Sequence, residues 1–390
     1  MTFDKAYFDA GIDRRHTGCE KWDDRTVVAA DGIPLWVADM DFPCAPAITE
    51  AIQKRGEHPC FGYQTEGRED EEALIGFWHR RHGVEIRPGQ IVMLPCVITG
   101  LKTCVRAFTA PGDAVAMFTP VYGPFFEAVE ANGRKIARVP LRAGTGGRYE
   151  MNLQGMEEAL GAGARLIMLC SPHNPVSRLW KEDELNALCR LAKQYDVPIV
   201  CDEIHADFVY APGAFVSILS VPEGRERAVM LCSASKTFNT AGLQQAAAVC
   251  CREEMRSALQ REIRSAGVAS GNIFARIATR AAYTRCDSWL DGLIAYLDQN
   301  RRAMTALTET YLPRARLTPV EATYLAWLDL RSYGKTCLEI SEKCRMHGVA
   351  LTAGTFFGPE GEGYMRVNFA CPREMLEQGM ARLGAAMEEA

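Results

Sequence analysis

Ser233-Ala234-Ser235-Lys236-Thr237-Phe238-Asn239 is the stretch on which the reading of this chain turns. It follows an apolar run, Ala228-Val229-Met230-Leu231-Cys232, whose short length and lack of polar residues predict a buried strand. Lys236 therefore arrives just past a strand end, between small hydroxyl residues. A lysine there can form a Schiff base with a carbonyl compound if its amine is partly desolvated and able to lose its proton. The neighbouring hydroxyls of Ser233 and Ser235 are expected to donate hydrogen bonds to a phosphate. A single Ser-x-x-Lys describes mostly surface lysines, so support must come from elsewhere in the chain.

Two upstream sites supply it. Ser171-Pro172-His173-Asn174-Pro175 follows the apolar run Leu166–Cys170, and Asp202-Glu203-Ile204-His205 follows Pro198–Cys201. Each sets polar groups at the end of a short buried strand, and in an open α/β sheet that edge is where ligands bind. Three strands thus deliver an amide, an acid and an amine to one edge. The set suits pyridoxal phosphate (PLP), which needs a lysine for its aldehyde, a carboxylate for its pyridine nitrogen and a donor for its phenolate oxygen.

The order Asn-Pro, Asp-Glu-x-His, Ser-x-Ser-Lys-Thr-Phe-Asn resembles the fold-type I PLP enzymes, the aspartate aminotransferase superfamily. Trp36-Val37-Ala38-Asp39-Met40-Asp41-Phe42, Asp202–His205 and Ser235–Asn239 resemble its cystathionine β-lyase (C–S lyase) branch, and the likeness runs from about Trp36 to Arg382-Leu383. The resemblance implies an α/β fold. A large PLP-binding domain (46–285) would hold a mostly parallel seven-stranded sheet flanked by helices. A smaller α+β domain (286–390) would join it, with an N-terminal arm (1–45) that forms part of the small domain.

The resemblance also implies roles. Lys236 and Asp202 would be catalytic, with Tyr122 stacked on the pyridine ring; a core tyrosine is the plainer alternative. Asn174, Ser233, Ser235 and His205 would contact the cofactor, although for His205 a satisfied structural histidine is the favoured reading. Cys96-Val97-Ile98-Thr99-Gly100-Leu101 opens a helix, and the backbone amides of Val97 and Ile98 at its positive end would cradle the phosphate. Tyr63 would reach the phosphate of a neighbouring subunit's cofactor, making the protein a homodimer with shared active sites. Ala38 and Asp39 would lie near the substrate; alternatively Asp39 and Asp41 cap a helix starting near Ala45. Arg366 is the single positive charge in an apolar alternating strand. Its planar guanidinium would grip the substrate α-carboxylate in two places, and Gly354–Gly358 would cover the pocket.

The chain departs from that pattern at several points. Gln244 stands where aspartate aminotransferases carry a phosphate-binding arginine, Ser177 replaces a frequent glycine, and Phe215-Val216 replaces a histidine-containing loop. Helices are expected over about 69–81, 180–195 and 281–312, small-domain strands over 322–330 and 364–369, and a surface loop over 140–150.

A net charge of −5 without any basic block argues against nucleic acid as a partner. No apolar run approaches a membrane span, and Met1-Thr2-Phe3-Asp4-Lys5 lacks signal-peptide character, so a cytoplasmic protein is expected. Fifteen cysteines, an odd number spread along the chain, do not make a disulfide framework. None has zinc spacing, and no metal is expected. Cys44, Cys60 and Cys96 are those expected near the pocket. The function read from these residues is a PLP-dependent C–S β-lyase acting on L-cystathionine or a related L-cysteine S-conjugate. The alternatives are an aminotransferase and a regulatory or binding protein that keeps the PLP fold.

Overall fold

The computed structural model of the chain describes residues 2–65, 67–268 and 271–388. Its large sheet has seven strands: β1 (Ile91–Leu94), β2 (Ala114–Thr119), β3 (Lys135–Pro140), β4 (Ala164–Cys170), β5 (Ile199–Asp202), β6 (Ala228–Cys232) and β7 (Ala246–Cys250). They lie in the order β1-β7-β6-β5-β4-β2-β3. All neighbours are parallel except β7, which runs against both β1 and β6. Strands covered on both faces must be apolar on both, which is why β5, β6 and β7 are buried at every position.

Register is what assembles the site. Asp202 pairs with Cys170 on one side and Leu231 on the other. The turn carrying Asn174, the acid at 202 and the loop leading to Lys236 therefore leave the sheet at neighbouring points of one edge. Cys170, Cys201 and Cys232 lie at or near the ends of the adjacent strands β4, β5 and β6, each buried. All fifteen cysteines are free.

Helix α1 (Arg68–His82) ends on Gly83 in the left-handed conformation, and α2 (Val97–Phe108) follows β1. The expected helix over 281–312 is two: α4 (Ile273–Arg285) and α5 (Asp287–Tyr311), separated at Cys286, with the one-turn α3 (Ala234–Thr237) preceding them. The apolar spacing runs through both helices, so periodicity alone does not show the break. The expected loop over 140–150 contains a small hairpin, Arg142–Ala143 against Tyr149–Glu150, whose turn places Gly146 and Gly147 at positive φ.

The smaller sheet holds β8 (Arg316–Leu317), β9 (Leu325–Asp329), β10 (Thr352–Ala353) and β11 (Tyr364–Asn368), ordered β8-β9-β11-β10 and antiparallel throughout. The N-terminal arm packs onto this end of the molecule. Ile33–Pro34 pairs in parallel with Val349–Ala350, and Phe8 is buried among Phe42, Trp289 and Tyr296. Asp39 and Asp41 do not cap the following helix. That helix, Pro46–Gly56, starts behind Ala45 with no side-chain cap, because Pro46 lacks an N–H and its fixed φ suits a first helical turn. Among the described residues no helix is long and apolar enough to cross a membrane.

Candidate active site

Lys236 sits in the third position of α3. Ser233 caps this helix, accepting from the Ser235 amide at 3.0 Å and donating its own hydroxyl proton to the Gln245 carbonyl at 2.6 Å. That proton is therefore not free for a phosphate, contrary to expectation, and the Ser233 side chain shapes the loop instead. Ser235 remains part-exposed. The lysine stem is partly accessible but its amine is enclosed, and Nζ donates to the Ala38 carbonyl at 2.5 Å. Burial draws the ammonium down to about 8, with the carboxylates of Asp39 and Asp202 resisting and Arg366 assisting.

A measurable consequence follows from that value. Only the neutral amine attacks an aldehyde, so the rate at which protein stripped of PLP recaptures it should rise about tenfold per pH unit below 8 and level off above. The near-visible absorbance gained after mixing reports this rate. A rate still climbing between pH 9 and 10 would mean an amine as exposed as an ordinary lysine.

Asp202, at the end of β5, is 4% exposed, and its Oδ1 accepts from the Ile204 amide at 3.1 Å. Burial pushes its carboxyl up to about 7, and among the described residues it forms no ion pair. A cation supplied at this position would restore the ionised form. His205 lies one turn beyond. It packs against Phe208 and Tyr324, and burial, helped by the charges of Lys236 and Arg366, lowers it to about 3, so the ring is neutral. Among the described residues its Nδ1 has no partner. The histidine is thus not the satisfied structural residue of the plainer reading, since an unpaired buried polar atom costs about 1–3 kcal/mol.

Asn174 occupies the turn after β4. Ser177 holds a left-handed φ of 57° three residues later, the conformation that favours glycine there. Its hydroxyl bonds the Leu325 carbonyl and so fastens this turn to β9. Asn174 Oδ1 accepts from Arg366 Nη1 at 3.2 Å, while Arg366 Nη2 donates to the Trp36 carbonyl at 2.7 Å and to Thr352 Oγ1 at 3.2 Å. Arg366 is 3% exposed, lies over the Phe357 ring and leaves Nε unpartnered. Among the described residues it has no acidic partner, so no local ion pair holds it. Burial lowers its pKa to about 10. A buried guanidinium held by neutral acceptors alone is a receptor for an anion.

Tyr122, after β2, is largely buried and its hydroxyl is pushed upward by that burial; its ring centroid lies 6.0 Å from Phe356 of the covering loop. At the start of α2, Cys96 is the cap residue and its Sγ accepts from the Thr99 amide at 3.5 Å. The amides of Val97 and Ile98 belong to the first turn, where no earlier helical carbonyl exists to receive them. They are suited to a phosphate oxygen. Of the three cysteines expected near the pocket, only Cys96 borders it, since Cys60 is exposed and Cys44 neighbours Tyr7 and Cys286.

Ala38 meets Lys236 through its carbonyl, but Asp39 points its carboxylate at the arm, where Arg14 holds it at 2.7 and 2.9 Å. Tyr63 is wholly exposed, in an irregular segment that also exposes Phe61. Gln244 is also exposed, at φ 60°. Sequence reasoning missed Tyr324, whose hydroxyl donates to Ala38 at 3.0 Å, and Asn239, whose amide makes three bonds with the backbone of Met40 and Phe42. Asn239 stands inside the Lys236 motif and was the more visible of the two. Tyr324 carried no signal beyond its place beside a strand.

The residues fit PLP. An amine near neutrality, a buried carboxyl without a cation, an unpartnered imidazole nitrogen and first-turn amides are the groups its aldehyde, ring nitrogen, ring substituents and phosphate require.

Comparison with known proteins agrees. The model of the aminotransferase class I and II family matches residues 30–383. The cystathionine beta-lyase PatB of Bacillus subtilis (strain 168) is 37% identical over 385 residues, covering 97% of this chain and 99% of that protein. A PLP-bound protein from Clostridium difficile 630 that carries the name aminotransferase superposes with a TM-score of 0.95 at 31% identity, over 98% of this chain and 99% of that one. Cystalysin from Treponema denticola, solved with its pyridoxal 5'-phosphate cofactor, superposes with a TM-score of 0.92 at 29% identity, over 97% and 98% of the two chains.

Proposed function

The chain belongs to the aminotransferase class I and II family, and from that membership we infer that it is a PLP-dependent C–S β-lyase. It cleaves an L-cysteine S-conjugate of the cystathionine kind. The observation that carries the substrate class is the pairing of the two pocket cations with one short segment: Arg366 donates to the carbonyl of Trp36 and Lys236 to that of Ala38. An α-amino acid whose carboxylate lies on Arg366 brings its Cα, one bond away, toward the lysine amine.

In this reading Lys236, Asp202, Asn174, His205, Ser235, Tyr122 and the amides of Val97 and Ile98 hold the cofactor. When bound, PLP supplies an aldehyde for amines and a protonated ring that withdraws electrons from the substrate Cα. Lys236, neutral above about 8, takes the Cα proton. Asp202 would hold the ring nitrogen of bound PLP, whose positive charge would favour the ionised carboxylate. Arg366 and Asn174 orient the substrate carboxylate, and Phe356 and Phe357 of the covering loop limit water. The Cβ–S bond then breaks, sulfur leaving with the bonding pair as a thiolate that takes up a proton. Hydrolysis of the remaining three-carbon unit yields pyruvate and ammonia.

The same residues would serve amino transfer, the reading favoured by the name of the Clostridium difficile protein. Product analysis separates the two. Pyruvate and free thiol released from an S-alkyl-L-cysteine without any 2-oxo acid support the lyase, whereas strict dependence on a 2-oxo acid rejects it. Arg366→Ala should raise KM for a substrate with a free α-carboxylate by about 10²–10⁴-fold, because two charge-assisted hydrogen bonds are worth roughly 1.5–3 kcal/mol each. An unchanged KM would make Arg366 structural.

A homodimer is part of the same proposal. Phe61 and Tyr63 are exposed at 55% and 107%, in keeping with a segment that completes a second subunit's phosphate site. A monomer in sedimentation at assay concentration, with full activity, would remove this element.

A further inference from the structure

Segment 36–42 acts as a backbone strap, and its carbonyls are the acceptors of both pocket cations. On the pocket side two asparagines hold it. Asn239 bonds the Met40 amide and the carbonyls of Met40 and Phe42, while Asn368 donates to the carbonyls of Val37 and Asp39 at 2.6 Å each. On the outer side it is held by charge. Lys21 is fully buried, and its Nζ lies 2.7 Å from Asp41 Oδ2 and 2.9 Å from the Asp39 carbonyl. Arg14 clasps both oxygens of Asp39 and also reaches Asp41 at 3.2 Å and the Met40 carbonyl at 3.2 Å. Trp22 Nε1 donates to Asp41 at 2.8 Å, and Trp36 Nε1 donates to the Lys21 carbonyl at 3.0 Å.

The cluster is two acids and two bases, neutral as a whole. Both acids belong to the strap and both bases to the stretch of the N-terminal arm that precedes it. A buried carboxylate deprived of its base tends to leave its site or take up a proton, so the bases decide where the strap rests. We propose that Arg14 and Lys21 are positioning residues for the amino-acid substrate. By clamping Asp39 and Asp41 they fix the carbonyls of Trp36 and Ala38 against Arg366 and Lys236, and so set the geometry that receives the α-carboxylate. This rests on the pocket being the substrate site described above. It gives the arm a part in substrate selection as well as in packing, and it gives the two strap aspartates a task other than touching substrate.

The test uses full-length holoenzyme carrying Arg14→Ala or Lys21→Met, with an S-alkyl-L-cysteine as probe. A shift near 1 Å in a site can cost about 10²-fold. KM is therefore expected to rise about ten- to a hundredfold with kcat changed far less. In ligand-free protein the amides of Met40 and Asp41, bonded to Asn239 Oδ1 and the Ala370 carbonyl, should exchange hydrogen faster. A lower melting temperature with unchanged KM and unchanged strap exchange would overturn the proposal and leave the cluster as packing. If Lys21→Met does not fold, Lys21→Met with Asp41→Leu removes the pair together, and the same KM rise is expected from it; a normal KM there also overturns it. Should the wild-type protein release no pyruvate, the functional reading fails, and the exchange comparison alone then decides whether the arm positions the strap.

Discussion

Replacing Lys236 by alanine is expected to abolish both pyruvate release and the near-visible absorbance of bound PLP. General-base catalysis alone contributes typically 10²–10⁴-fold, and the same amine is the covalent anchor, so a loss of at least about 10³-fold in turnover should accompany the loss of colour. Borohydride treatment of the wild-type protein, followed by digestion, should leave the vitamin on the peptide that contains Ser235–Asn239. A coloured, active Lys236→Ala protein would dismantle the assignment. A colourless protein that still binds amino acids tightly would point to the binding-protein alternative.

The second large effect is expected at Asp202. Its carboxyl is buried and pushed up to about 7, so at neutral pH a cation beside it is needed to make the ionised form dominate. Asp202→Asn keeps the shape and removes the charge. Breaking a buried pair from one side costs about 3–5 kcal/mol, which if felt in the transition state is about 10²–10⁴ in kcat. Bound PLP, held also by Lys236 and the α2 amides, should decrease much less. The two quantities are separable by titrating absorbance and turnover on the same sample. Near-normal turnover would deny Asp202 its electron-withdrawing role.

Much of this was legible in the sequence because the site is delivered by strand ends. Asn174, Asp202 and Lys236 each follow a short apolar run, and parallel pairing brings such ends to one edge by the same rule that buries the runs. Arg366 was visible as a charge where none is tolerated without purpose. Other features were illegible because they depend on tertiary partners. Ser233 reads as a phosphate donor until Gln245 is seen taking its proton. Asp39 and Asp41 read as helix caps until Arg14 and Lys21, some 20 residues earlier, are seen beside them. The break at Cys286 escaped because apolar spacing continues across it. Tyr324 and Thr352, one beside and one within the smaller sheet, reach the pocket only through the way that sheet packs against the strap.

The three thiols near those strand ends, Cys170, Cys201 and Cys232, bear on what the enzyme must survive. A lyase that works on sulfur compounds meets disulfides, whether brought in as such or formed when a released thiol is oxidised, and a disulfide can exchange with a protein thiolate. Such exchange proceeds through thiolates, and burial, with the acids of this edge adding to it, holds all three well above the usual cysteine range. The three therefore stay protonated thiols, which do not enter that exchange.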